Sequence, residues 1–142
     1  MFPITSSFRL VKSEDLNHHG TLFAGRCAEW FVESAFISVV RRLPPDNVVC
    51  LKIHGMEFLR PSRLGDVLCF ESRIVYAGRS TIVSHVKVTR QAEPNVVCTD
   101  GFLTFCYVDE NTKSMPHGLV ITPETEEEKR LHEEAKILIG KS

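Results

Sequence analysis

Residues 17–42 have the sequence NHHGTLFAGRCAEWFVESAFISVVRR, and this stretch decides the fold class because a polar loop leads directly into a long apolar helix. From about residue 21 to residue 42 the residues follow helical spacing, and one face carries Phe23, Cys27, Trp30, Phe31 and Ser34. Arg41 and Arg42 suit the negative end of the helix dipole, and Pro44-Pro45 ends the helix.

The segments around this helix predict strands. An alternating segment precedes it near residues 4–11, and four more follow at residues 47–59, 66–77, 81–89 and 95–108. Their short joints have turn chemistry, which favours an antiparallel meander. A terminal helix is expected at about residues 122–140, with Thr122 as its N-cap and Pro123 in its first turn.

This order of elements predicts one α+β domain over residues 1–142, in which an antiparallel sheet wraps a long central helix. One edge of such a sheet stays open, and open edges invite pairing with a second copy of the chain. The sequence therefore predicts a homodimer or a higher homo-oligomer.

Composition excludes several classes of function. Seventeen basic and eighteen acidic residues give a net charge of −1, which disfavours a nucleic-acid partner. The most apolar stretch, residues 31–40, is too short for a membrane span, and the first residues do not resemble a signal peptide. Five cysteines without a Cys-x-x-Cys pair indicate reduced thiols, hence a cytoplasmic protein without a zinc site.

The loop before the helix is the first candidate site. It places Asp15, Asn17, His18 and His19 just ahead of a helix start, where free N–H groups can hold an oxyanion. The alternative is structural: Asn17 or His19 caps the helix, and Asp15 is a solvated turn acid.

A charged stripe on the helix is the second candidate. Arg26, Glu29 and Glu33 follow each other at spacings of three and four residues, so a solvated face with an Arg26–Glu29 ion pair is one interpretation. If the sheet wraps the helix, however, Glu33 near its middle is kept from bulk water, and a carboxylate in such a place suits general-base chemistry. Cys27 has no sequence sign of activation and is expected in the core.

Three segments resemble hotdog-fold acyl-CoA thioesterases. Residues 17–25 resemble their Asn-x-x-Gly-x-x-Phe-Gly-Gly loop, and Glu29-Trp30 matches the helix segment that follows. Residues 58–66, FLRPSRLGD, resemble their Phe-x-x-Pro-x-x-x-Gly-Asp turn, and residues 75–81, VYAGRST, resemble a Val-Gly-Arg-Ser-Ser segment one hairpin later. The resemblance covers residues 5–109.

The chain departs from this family at the helix. Many relatives have Trp-Met-Asp-Glu-Ala there, with the aspartate as base or nucleophile, but this chain has Val32 at the aspartate position. Ala24 likewise replaces the first glycine of the Gly-Gly pair. Glu33 follows the lost aspartate, and its distance from Gly25 resembles that of the helix glutamate which other hotdog thioesterases use.

The resemblance implies a hotdog fold with sites at a dimer interface, and hydrolysis of an acyl-CoA or acyl-carrier-protein thioester without a cofactor. On this interpretation Glu33 activates water or attacks the carbonyl, the Gly25 N–H holds the oxyanion, and Asn17 and His19 orient the reactants. The candidates for the CoA phosphates are Arg60, Arg79 and Ser80. The alternatives are a hotdog dehydratase, weakened because its His-Phe-Pro start is absent, and a non-catalytic acyl-CoA sensor or carrier-protein partner.

Overall fold

The computed structural model describes residues 2–140. It contains one antiparallel sheet and two α-helices, so the predicted α+β class is confirmed. The elements are β1 (Thr5–Leu10), α1 (Ala24–Val40), β2 (Val48–Phe58), β3 (Val67–Ala77), β4 (Thr81–Arg90), β5 (Glu93–Tyr107) and α2 (Glu126–Leu138). Single turns of 3-10 helix at Ser13–Asp15 and Pro45–Asn47 flank α1 along the chain.

Helix α1 begins three residues later than the periodicity predicts. Thr21 pairs with Arg63 in an isolated bridge, and the Leu22 N–H donates to the Ser62 carbonyl at 2.8 Å. These residues hold the β2–β3 connection, so their backbone is extended and the helix starts at Ala24. The N-terminus of α1 is thereby fixed beside that connection.

The five strands form one sheet in the order β1-β3-β4-β5-β2, with every neighbouring pair antiparallel. Strands β3, β4 and β5 follow one another as a meander. Strand β1 pairs with β3 at one edge, and β2 pairs with β5 at the other. Within residues 2–140, each edge strand therefore has one side without a partner strand.

The main core lies between α1 and one face of the sheet. Helix α1 contacts β1, β2, β3 and β4, and its buried face includes Trp30, Phe31, Ala35 and Val39. Phe31 is fully buried, and the edge of Trp30 meets Phe70 of β3 at a centroid distance of 6.2 Å. Burial of this face orients α1 and leaves its opposite face outward.

The terminal helix exists, but the predicted cap is wrong. Thr125, not Thr122, is the N-cap of α2, because its hydroxyl accepts from the Glu128 N–H at 3.1 Å while the Glu128 carboxylate accepts from the Thr125 N–H at 3.3 Å. This reciprocal pair satisfies two N–H groups at the helix start. Helix α2 and Phe2 cover a second apolar cluster, which includes Val75, Val83 and Phe102.

Candidate active site

Asn17 closes the loop before α1. Its Oδ1 accepts from the His19 N–H at 2.8 Å and from the Thr21 N–H at 3.2 Å, and its Nδ2 donates to the Thr21 hydroxyl at 3.1 Å. Gly20 completes the turn with a φ of +80°, a conformation that glycine adopts without strain. Asn17 thus shapes the loop and does not cap the helix, while His19 is exposed beside the ring of His18.

Asp15 anchors the same loop to α1. Its side chain is 4% exposed, accepts from the Lys12 N–H at 2.9 Å and lies 3.3 Å from the Arg26 guanidinium. Arg26 also contacts Glu29 at 3.8 Å, which confirms the expected Arg26–Glu29 pair. The interpretation of Asp15 as a solvated turn acid is therefore wrong: this carboxylate is buried and ties the loop to the helix.

The N-terminus of α1 has no side-chain cap. Phe23 occupies the N-cap position, and its carbonyl accepts from the N–H groups of Arg26 and Cys27. The N–H groups of Ala24 and Gly25 precede these first intrahelical bonds and point out of the helix end. The Phe23 ring lies against Gly25, because a Cβ added to Gly25 would come within 2.6 Å of its Cε2 atom.

Glu33 lies on the outward face of α1, so the expectation that the sheet shields it from water is wrong for the single chain. Its side chain is 56% exposed and pairs with Arg9 of β1. The sheet covers the opposite face of the helix, where Phe31 and Ala35 are buried. Gly25 and Glu33 line one shallow depression on this outward face, together with Ala28, Glu29, Val32 and Phe36.

Asn17 and Arg60 lie at a different concavity. A cavity of about 270 Å³ opens between the loop, the first turns of α1 and the β2–β3 connection, and both residues line it. Arg79 and Ser80 lie elsewhere: the Arg60 N–H bonds the carbonyl of Cys98, whereas the Ser80 carbonyl accepts from Tyr107 at the other end of β5. Nine residues of β-strand separate those two points by roughly 30 Å. The predicted phosphate contacts are therefore at opposite ends of the sheet in one chain.

The cavity floor holds two thiols that do not titrate near neutral pH. Burial, with a smaller contribution from Cys98, raises the pKa of Cys27 to about 12, and burial also raises the pKa of Cys98. Cys27 is 4% exposed, as expected for a core residue, and behaves as a small apolar group.

Sequence reasoning missed Arg9 and Cys98. Arg9 shares one face of β1 with Thr5 and Ser7, and this face lies toward α1, so the two-residue period of the strand already contained the signal. Cys98 had no local signal, because it lies at a register shift between β4 and β5, and its carbonyl accepts from the N–H groups of Leu59 and Arg60 beside the cavity. Within residues 2–140, no helix is long and apolar enough to cross a membrane, and no cluster of His, Cys, Asp and Glu is arranged to hold a metal ion.

In this geometry the N-terminus of α1 lies beside a polar loop and a cavity. Comparison with known proteins identifies the family that has this arrangement. The model of the thioesterase superfamily matches residues 19–97, and the chain belongs to this family. An uncharacterized acyl-CoA thioester hydrolase of Bacillus subtilis, YkhA, is 35% identical over 125 residues, which cover 85% of this chain and 71% of the relative.

Solved structures agree with the family. A hexameric acyl-CoA thioesterase matches with a TM-score of 0.84 and 31% identity over 96% of this chain and 88% of its own. An acyl-CoA hydrolase from Staphylococcus aureus, solved with butyryl coenzyme A, coenzyme A and coenzyme A disulfide, matches with a TM-score of 0.83 and 25% identity over 96% of this chain and 84% of its own. These are relatives with the same fold.

Proposed function

We infer that this chain is an acyl-CoA thioester hydrolase, which releases a free acid and the CoA thiol. The family and the named activity of its relatives support the reaction class. The observation that carries the assignment to this chain is that α1 has an N-terminus without a side-chain cap and, on its outward face, the half-exposed Glu33 carboxylate, so that a second copy can reach both. The helix N-terminus supplies a hydrogen-bond donor for an oxyanion, and the Glu33 carboxylate supplies a base for water.

In the proposed reaction, Glu33 removes a proton from a water molecule as the water oxygen attacks the thioester carbonyl carbon. The carbonyl oxygen becomes an oxyanion, which the Gly25 N–H stabilises at the positive end of α1. The carbon–sulfur bond then breaks, and the proton held by Glu33 passes to the departing sulfur. Asn17 and His19 orient the water or the carbonyl, and no step requires a metal or a cofactor.

The complete site requires two subunits. Gly25 and Glu33 are eight residues apart on one helix, which separates their Cα atoms by about 12 Å, too far for both to meet one reacting carbonyl easily. Glu33 of one subunit facing Gly25 and Asn17 of another removes this difficulty. The unpaired sides of the edge strands and the exposed side chains of Leu51 and Ile53 on β2 support an assembly of at least two copies.

An intersubunit complementation experiment tests this arrangement. Glu33→Gln and Asn17→Ala each inactivate both sites of their own homodimer. Co-expression of the two variants gives mixed dimers in which one site carries neither change, so about a quarter of all sites recover activity. Tagged purification verifies that the mixed dimers have formed. If the verified mixed dimers recover no activity, both residues belong to the same subunit's site.

A non-catalytic acyl-CoA sensor remains the competing function, and Val32 is the observation that favours it. The helix carries valine where many relatives have their aspartate, and Glu33 is engaged by Arg9. Release of free thiol from a panel of acyl-CoAs separates the two functions. Turnover supports the hydrolase, and saturable binding without turnover supports the sensor.

We also propose which residues contact the CoA phosphates and which other thioester the site accepts. Arg60, Arg79 and Ser80 are proposed contacts for CoA phosphates, and an acyl-carrier-protein thioester is an alternative substrate.

The contacts of α1 with four strands support a sheet that wraps the helix in the hotdog arrangement of a single domain. All five cysteines are free thiols, which supports a reducing, cytoplasmic setting.

A further inference from the structure

The cavity beside Asn17 has a polar rim and an apolar interior. Its exposed or half-exposed rim includes Asn17, Thr21, Arg60 and Pro61. Its buried interior includes Cys27, Leu68, Val88 and Cys98, each at most 4% exposed. The cavity therefore changes character from its mouth to its floor within a single subunit.

The polar atoms of the interior already have partners within the chain. The Thr99 hydroxyl donates to the Glu57 carbonyl, and Ser62 hydrogen-bonds the Cys98 thiol. Among the described residues that line the cavity, Arg60 is the one charged side chain, and it lies at the rim. The floor thus offers apolar contact to a ligand, and a charged group is accommodated at the mouth alone.

An acyl-CoA has this same division, with an apolar acyl chain and a charged nucleotide end joined by a thioester. We propose that this cavity binds the acyl chain, with the thioester at the Asn17–Ala24 rim and the CoA directed past Arg60. The inference rests on the proposed function and adds the substrate class to it. Cys27 at the floor, one turn beyond Ala24 on α1, sets the depth of the pocket.

The volume limits the chain length. A cavity of about 270 Å³ holds roughly nine water-sized groups, and a methylene is of similar size. Straight acyl chains of up to about eight carbons fit, whereas a sixteen-carbon chain leaves half of its length outside. On this proposal we expect short and medium straight-chain acyl-CoAs to be the preferred substrates.

Chain-length profiles of wild type and two Cys27 variants test the pocket. For wild type, kcat/KM rises several-fold per added carbon while methylenes enter the cavity, and then falls beyond about eight carbons. Cys27→Leu adds two heavy atoms to the floor and moves the optimum to a shorter chain by about two carbons. Cys27→Ala removes one heavy atom from the floor and moves the optimum to a longer chain. Because the two variants shift the optimum in opposite directions, a folding defect in one of them does not decide the result.

Cys69→Leu is the matched control, because Cys69 is next to Leu68 on β3 and its side chain points to the other face of the sheet. We expect the chain-length profile of Cys69→Leu to match that of wild type. Two unshifted Cys27 profiles, or a wild-type optimum at sixteen carbons, overturn the acyl pocket while the hydrolase assignment stands. If wild type releases no thiol from any acyl-CoA, the proposed function fails, and the chain-length dependence of acyl-CoA binding by the same variants decides the pocket.

Discussion

The guanidinium of Arg9 on β1 donates a hydrogen bond to the carboxylate of Glu33 on α1. Arg9 also lies over the Trp30 ring, with its Cζ 5.5 Å from the ring centroid. Both partners of the ion pair are about half-exposed, so the pair stabilises the fold by at most about 1 kcal/mol. Its consequence is orientation: the edge strand β1 fixes the position of the proposed base on the outward face of α1.

Glu33→Gln keeps the shape of the side chain and removes the base. We expect kcat to fall by ~100-fold or more with KM nearly unchanged, because the carboxylate acts on water in the chemical step. Thermal unfolding should change little, since the side chain is exposed. Glu29→Gln, a change on the same helix face, is the control and should retain turnover. Full activity in Glu33→Gln would assign the base to another residue.

Gly25→Ala tests the close approach of the Phe23 ring. The added Cβ would come within 2.6 Å of the ring, so the ring or the helix start must shift. A shift near 1 Å at an oxyanion donor lowers kcat by roughly 100-fold. Phe23→Ala in the Gly25→Ala background removes the clash and should restore most of the loss. A double variant as slow as Gly25→Ala contradicts this account of the ring.

Arg60 and Arg79 are separable because they lie at opposite ends of the sheet. An arginine that contacts a CoA phosphate, when changed to Ala, should raise KM with little effect on kcat, and the loss should shrink as salt rises. The comparison substrate is a short thioester without the nucleotide. A variant that loses equal activity on both substrates identifies its arginine as structural.

Glu128 predicts a pH-dependent contribution to stability. Hydrogen bonds from the N–H groups of Phe2, Glu124 and Thr125 lower the pKa of this buried carboxyl from 4.5 to about 2. Because the folded pKa is the lower one, the stabilisation is fully present above pH 4.5 and is lost as pH falls toward 2. Glu128→Gln should lower the unfolding temperature at pH 7, since one amide oxygen replaces two acceptors.

The difference between wild type and Glu128→Gln should narrow as pH falls through this window, which thermal unfolding at several pH values measures. Glu126→Gln is the control, because Glu126 is 95% exposed at the start of the same helix. If the difference in unfolding temperature stays constant from pH 7 to pH 2, the titration of Glu128 is not its cause.

The sequence by itself determined the elements and their class. The helical period placed α1 to within three residues, and the alternating segments predicted all five strands, because both signals depend on neighbours along the chain. The family motifs likewise lie in contiguous segments. Asn17 and Gly25 could therefore be proposed as site residues from the residues around them.

Only the tertiary structure decided which faces meet water and which candidates come together. The strand order β1-β3-β4-β5-β2 covers one face of α1 and leaves Glu33 outward beside Arg9. The same order joins Cys98 to the cavity of Cys27 and keeps Arg60 far from Arg79. These relationships depend on pairing between residues distant in sequence, which periodicity and spacing do not contain.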